Sequence, residues 1–377
     1  MMNKIWNAFL FPFRKWLSIY DRYIIRKYFT TTLFTFFIII AIALIIDYSE
    51  KTENFVKYKP TAHQIIFDYY FNFIPHIAAL LAPLLIFLAV IFFTSRMAYN
   101  SELIALRNSG ITMLRYLRPY IICGVFSGLL LLFANHWLVP VANKTRIAFE
   151  DKYTRAPKGY GNNIHLRLDN NTLVSLERFK YSTGEGTNFA LERFEGSGNN
   201  KRLVYKINAD RVKFMPGIKN WRLVNYKYWK INNTSEGFIQ GKQMDTTLNM
   251  SPESFDVDVI IKEALNFKEI NDFMESEKLK GASGIEYFQV ENNRRTAAAI
   301  SVIIMIVMGA AIGSWKVRGG MGLNIVAALA LASLYVVFLQ FSSSFSVNGS
   351  LPPIIGANIP NIIYLLITLY LIRLTNK

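Results

Sequence analysis

Charged residues are missing from five stretches of the chain: Tyr28 to Ile46, Tyr69 to Ser95, Pro119 to Asn143, Thr296 to Trp315 and Gly319 to Ile372. A hydrocarbon core about 30 Å thick is crossed by roughly 20 apolar residues rising about 1.5 Å each, and a helix of a soluble core rarely runs that far without a charge. The last stretch is too long for one crossing. It is interrupted by SSSFSVNGSLPP, Ser342 to Pro353, whose Asn-Gly and Pro-Pro pairs predict a turn between two spans. The pattern predicts six transmembrane helices, three within 28–143 and three within 294–377.

Between them, over 144–293, the pattern becomes that of a folded polar domain. GYGNN, TGEGTN and GSGNNK separate short alternating runs. In NIHLRLD, Ile164, Leu166 and Leu168 share one face, and in NWRLVNYKYWKI Trp221, Leu223 and Trp229 share one parity, so strands are expected. A helix near 266–280 follows from Asn266 and Glu269 at capping-box spacing, with Leu265 and Ile270 as staple and Lys278, Lys280 and Gly281 as stop. The fold class expected is an α-helical membrane protein with a 3+3 arrangement of spans around an inserted all-β, jelly-roll-like domain.

Composition narrows the picture. With 52% hydrophobic and 18% charged residues and one cysteine, the chain is neither disordered nor stapled by an internal disulfide. Its net charge of +16 would suit nucleic acid, but much of the excess lies in short segments beside the spans. Lys4, Arg14, Lys15, Arg22, Arg26 and Lys27 precede the first span; Arg96, Arg107, Arg115 and Arg118 lie between the second and third; Lys316 and Arg318 follow the fourth; Arg373 and Lys377 end the chain. An excess of Lys and Arg marks cytoplasmic loops. Both termini are therefore expected in the cytoplasm and the β domain on the exported side, with residues 1–27 forming an interfacial amphipathic helix rather than a cleavable signal.

Catalytic chemistry is hard to find. His63, His76, His136 and His165 show no metal-ligand spacing, so neither a metal nor a cofactor is expected. GFIQGK, Gly237 to Lys242, is one residue short of a phosphate loop and has Gln243 where a hydroxyl belongs; no G-x-S-x-G elbow occurs. His76 follows Pro75 within a span, where an ionisable group is by default a functional candidate, and the stronger reading is a neutral imidazole that reaches water or headgroups; Pro83 is read as a kink. MGAAIG, Met308 to Gly313, and AALALAS, Ala327 to Ser333, offer small residues for close helix approach. The most informative polar segment is TSRMAYNSELIALRNSGITMLRYLRP, Thr94 to Pro119, with a short amphipathic helix over 101–108 ended by Gly110. A soluble partner docking there and an ordinary interfacial helix are the two readings that periodicity leaves open.

The three-plus-three layout, SELIALRNSGIT after the second span, Tyr20-Asp21-Arg22-Tyr23 before the first, and PPIIGANIP from Pro352 to Pro360 resemble the LptF/LptG (YjgP/YjgQ) permease family over nearly the whole chain. The resemblance implies the membrane half of an ABC-type exporter that lifts lipopolysaccharide from the inner membrane of a Gram-negative bacterium. It implies a second LptF/LptG-like permease, homo- or heterodimeric, with lateral gates between span one of one subunit and span five of the other. It further implies a cytoplasmic LptB-like ATPase, so that this chain is itself no enzyme, and a periplasmic bridge to LptC/LptA-like β domains. By this resemblance Ser101, Glu102, Leu103, Leu106, Arg107, Ser109 and Gly110 form the ATPase-coupling segment, with Glu102 its central residue. Lysines of the family's first span face lipid phosphates; here Asp47 stands where the first would fall, and Lys51, Lys57 and Lys59 are the headgroup candidates. The rival readings are a membrane-anchored periplasmic scaffold or assembly factor, and a permease for another lipid.

Overall fold

The computed structural model describes residues 17–154, 160–169, 171–196, 202–215, 220–231, 236–248, 250, 252, 259–280, 285–315 and 320–375. The interfacial helix expected over 1–27 lies outside the described residues up to 16, as do Gly281, Lys316, Arg318 and Lys377. Two compact units divide the chain. One is Met1–Thr154, Glu263–Phe267 and Gln289–Lys377, the other Arg155–Lys262 and Lys268–Phe288.

The first unit holds α1 (Ile19–Tyr58), α2 (Gln64–Tyr99), the short α3 (Glu102–Asn108), α4 (Met113–Tyr153), α6 (Ile285–Gly313, entering after α5, Phe267–Lys280), α7 (Met321–Val347) and α8 (Pro353–Thr375). Among the described residues six of these are long and apolar enough to cross a membrane: α1, α2, α4, α6, α7 and α8. The helices outrun the charge-free stretches because their polar ends are satisfied. Ser18 caps α1 in a box with Asp21, each side chain accepting from the other's backbone N–H, at 3.3 and 3.0 Å. Pro75 and Pro83 lie inside α2 without ending it.

Small residues set how closely the spans approach. A Cβ on Gly313 would lie 2.8 Å from Cβ of Thr94, and one on Gly128 would lie 2.9 Å from the Ala299 carbonyl oxygen. The MGAAIG and AALALAS runs therefore serve packing: Ala310, Ala311, Ala328 and Ala332 are all buried. One core cluster joins α1, α2, α3, α4 and α6 through Ile24, Val90, Leu103, Tyr120 and Val302; another joins α2, α6, α7 and α8 through Phe87, Met308, Ala328 and Tyr364. α6 is the hub, with 72% of its most apolar window buried, whereas α1 has 6%.

The second unit is a six-stranded antiparallel sheet in sequence order: β1 (Tyr160–Asp169), β2 (Thr172–Lys180), β3 (Glu185–Glu195), β4 (Arg202–Met215), β5 (Asn220–Ile231) and β6 (Glu236–Thr246). This is an inserted β domain built as a meander, without the crossovers of a jelly roll among the described strands. The sheet curls. β2 and β5 stand three strands apart, about 14 Å in a flat sheet, yet the rings of Phe179 and Trp221 are 6.1 Å apart. Gly186, between them on β3, makes room: a Cβ there would collide with Leu176 and lie 2.9 Å from Val212.

A crease also crosses the sheet. β2 turns Glu177 and Arg178 outward in succession, β3 Thr187 and Asn188, and β4 Asp210 and Arg211. Asn188 and Asn225 take positive φ, 51° and 53°, and the Asn225 amide donates to Asp210 at 3.0 Å. Parity flips at the crease. On β5, Trp221 and Leu223 are fully buried, but beyond Asn225 it is Tyr226 and Tyr228 that pack on the core, not Trp229. The GFIQGK run lies in β6, a strand rather than a phosphate loop.

Candidate functional site

Between α2 and α4 the backbone reverses twice. Ser101 takes φ +60°; its N–H donates to the Ala98 carbonyl at 3.0 Å and its own carbonyl accepts from Ala105 at 3.1 Å, so α3 starts at once where α2 stops. At the other end the Ser109 hydroxyl donates to the Leu106 carbonyl at 2.7 Å, and Gly110 takes φ +79° with open space where a Cβ would be. Leu103, 3% exposed, belongs to the core cluster of α1, α2, α4 and α6, and Leu106 and Ile111 pack against it. The expected coupling residues thus divide. Leu103 and Leu106 weld α3 to the spans, while Ile104, Ala105, Asn108 and Ser109 are exposed, as are Tyr99 and Leu114 beside them in the chain. The side chain of Arg107 lies outside the described residues.

Glu102 is tied to α1. Its carboxylate accepts from the Tyr23 hydroxyl at 2.7 Å and pairs with Lys27 at 3.2 Å. Burial opposes its ionisation, but the Tyr23 hydroxyl and the Lys27 ammonium outweigh burial, and Glu102 titrates below the ordinary glutamate range. The neighbouring residues of the Tyr20-Asp21-Arg22-Tyr23 string do similar work. Arg115 of α4 grips both carboxylate oxygens of Asp21 at 3.0 Å, and the Tyr20 hydroxyl donates to the Tyr116 carbonyl at 3.1 Å. That string is a clasp from α1 onto α3 and α4. Its partners lie 79 to 96 residues away, so local pattern carried no signal of them.

The lysine candidates occupy the other end of α1. Lys57 and Lys59 are exposed, Lys59 capping the helix with φ +50°. Lys51 is not: its side chain is 19% exposed and pairs with Asp47 at 2.9 Å and Glu150 of α4 at 3.4 Å. It also contacts the Tyr69 hydroxyl and lies 4.1 Å from that ring's centre. Beyond it the chain of charges continues, Glu150 to Arg146 at 2.9 Å and Arg146 to Glu263 at 2.9 Å. Among the described residues no group of three or more His, Cys, Asp or Glu side chains is arranged to hold a metal ion, and Cys123 is buried.

A family model described as "Lipopolysaccharide export system permease LptF/LptG" matches residues 22–374. Two curated relatives, the lipopolysaccharide export system permease proteins LptG of Escherichia coli strain K12 and of Escherichia coli O6:H1 strain CFT073, are each 24% identical over 371 residues, covering 94% of this chain and 98% of theirs.

Proposed function

The chain belongs to the LptF/LptG family of lipopolysaccharide export permeases, and from that premise we propose that it is the membrane subunit of an ABC-type exporter that extracts lipopolysaccharide from the inner membrane and passes it to a periplasmic bridge. The observation that carries the reading is the match over 22–374, which takes in all six spans and the β domain together. In this reading both termini and α3 are cytoplasmic and the sheet is periplasmic. The physical problem is the one such a machine must solve. Several acyl chains, at about 0.8 kcal/mol per buried methylene, make spontaneous departure from a bilayer very slow, so extraction draws on nucleotide hydrolysis in a partner.

The proposed roles draw on the following features. The segment from Ser101 to Gly110 meets an LptB-like ATPase through its exposed Ile104, Ala105, Asn108 and Ser109, Glu102 and Arg107 being the charged residues of that segment, and Leu103 and Leu106 carry displacement into the spans. A second LptF/LptG-like permease completes the lipid cavity; the sparsely buried α1 and α7, at 6% and 22%, suit lipid or a partner helix. Lys57 and Lys59, exposed at the end of α1, suit headgroup phosphates. β6, an edge strand with Phe238 and Ile239 both more than half exposed, suits strand addition by an LptC/LptA-like β domain.

The test is purification in mild detergent followed by reconstitution. Recovery of an ATPase subunit, a second permease and a glycolipid, with ATP-dependent release of that glycolipid to a soluble β-domain acceptor, is expected. A stable complex lacking any ATPase would instead identify a scaffold, and release of a different lipid class would reassign the cargo.

A further inference from the structure

The two faces of the sheet differ in chemistry. Val174, Leu191 and Ile207 turn one way, into the core of the second unit. Their neighbours turn the other way and stand in rows, because the strands pair directly across. One row runs His165, Ser175, Ala190; the next runs Arg167, Leu173, Glu192. Ser175 and Ala190 are short, and the larger side chains around them leave a depression of about 270 Å³ lined by these six and by Val174. A bulge between Arg167 and Asp169 turns the end of β1 at its rim.

The polar groups of this pit do not satisfy one another. Among the described residues the side chains of His165, Arg167 and Ser175 have no hydrogen-bond or ion-pair partner. Glu192 accepts from Lys206 through Oε1 at 2.7 Å and keeps Oε2. Arg167 and Glu192 flank Leu173 two strand spacings from each other, about 10 Å between their backbones.

We infer that the pit binds one sugar ring carrying an acidic substituent. Arg167, with the His165 ring N–H and the Ser175 hydroxyl beside it, donates to the carboxylate or phosphate. Glu192 Oε2 accepts from a ring hydroxyl, and Leu173, 37% exposed, meets the ring's C–H face. A bare anion suits the pit less well: it would take the donors but face the Glu192 carboxylate and the apolar Leu173 with nothing for either. The volume lies just under the usual range of ligand sites, about 300 to 1,000 Å³, which fits a single ring. The second row continues across the sheet through Lys206 to Trp229 and Phe238, whose rings are 5.5 Å apart, an apolar surface for a following sugar. Val174, Leu191 and Ile207 back the floor from the core, so the pit stands ready before a ligand arrives. Two sources carry such a ring, the head of a glycolipid and the glycan of a cell wall. The pit is a property of the second unit and does not depend on the transport reading.

The test titrates the full chain, in phosphatidylcholine nanodiscs, with glucosamine 6-phosphate, N-acetylmuramic acid, glucose and inorganic phosphate, followed by saturation-transfer NMR. At least one acidic sugar is expected to bind about tenfold or more tighter than glucose and phosphate, the worth of one charge-assisted hydrogen bond. Tighter binding of the sugar phosphate supports the inference with a glycolipid head as source; tighter binding of the sugar carboxylate supports it with a wall glycan. Arg167→Ala should weaken that binding by about tenfold, and Ala190→Leu, which fills the pit, should abolish it. Lys227→Ala removes an exposed cation on the same face outside the pit and should leave it unchanged. Unaltered binding in Arg167→Ala or Ala190→Leu overturns the inference, as does binding of neither acidic sugar or equal binding of glucose. Phosphate binding as tightly as glucosamine 6-phosphate overturns it in favour of a plain anion site. Arg167 has no partner to lose, so its variant decides the matter should Ala190→Leu not fold. No ATPase and no lipid cargo enter these titrations, so failure of the transport reading leaves their outcome as it is.

Discussion

Replacing Glu102 by Gln removes a charge while keeping the shape of the side chain, and its two consequences differ in size. Within the chain the loss is small. The Lys27–Glu102 pair is 3.2 Å long with side chains 30% and 32% exposed, a setting in which an ion pair contributes about 0.5 kcal/mol, and the Gln oxygen still accepts the Tyr23 hydroxyl. Toward a partner the loss is larger: truncating one side of a hydrogen-bonded charge pair at an interface costs about 2 kcal/mol or more, roughly 30-fold in affinity. Thermal melting should therefore hardly move while ATPase binding by titration, and ATP-driven lipid release, fall by more than tenfold. Since the folded Glu102 titrates below its ordinary value, its contribution is present above the ordinary glutamate pKa and lost only as pH falls through the lowered one; binding should be flat from neutrality to about pH 5. Wild-type binding and release in Glu102→Gln would refute the coupling role. If Tyr23→Phe with Lys27→Met reproduces the loss, the carboxylate acts by pinning α3 to α1 and not by touching the ATPase.

Leu103→Ala should cost about 2 kcal/mol of stability, measured by thermal melting in detergent, because the side chain is 3% exposed within the cluster shared by four spans. Gly313→Val should cost about 1 to 3 kcal/mol through overpacking against Thr94, whereas Gly322→Ala, with open space around the new methyl, should be neutral or stabilising. Trp221→Ala empties a fully buried site and abandons the indole bond to the Met250 carbonyl at 3.1 Å. About 3 to 5 kcal/mol lost there should expose 160–246 to limited proteolysis while leaving the spans protected; equal protection of the sheet would contradict the packing.

Charge-free stretches were enough to find the spans, because a bilayer tolerates few unpaired charges and a pattern about 20 residues long survives without knowledge of partners. They could not show where each helix stops. α4 continues from the apolar stretch ending at Asn143 to Tyr153, since Arg146 and Glu150 satisfy one another and reach Glu263. Alternation found the strands and the burial of Trp221 and Leu223, but not that of Tyr226 and Tyr228: a crease built from left-handed asparagines reverses parity, and nothing in a period of two announces it. The site was legible only in part. Helical spacing and Gly110 located α3, yet Lys27, which pairs with Glu102, and Glu150, which pairs with Lys51, lie 75 and 99 residues off, and pairs that distant leave no trace in a single sequence.

The burial of Leu103 has a mechanical meaning. A docking element carried on a slack loop would absorb an engine's stroke as local strain, returning it as heat. α3, the docking element in the function proposed above, shares one close-packed cluster with Val90, Tyr120 and Val302, and interiors of that density are nearly incompressible. A push on its outer side has nowhere to dissipate before α2, α4 and α6 move as a block.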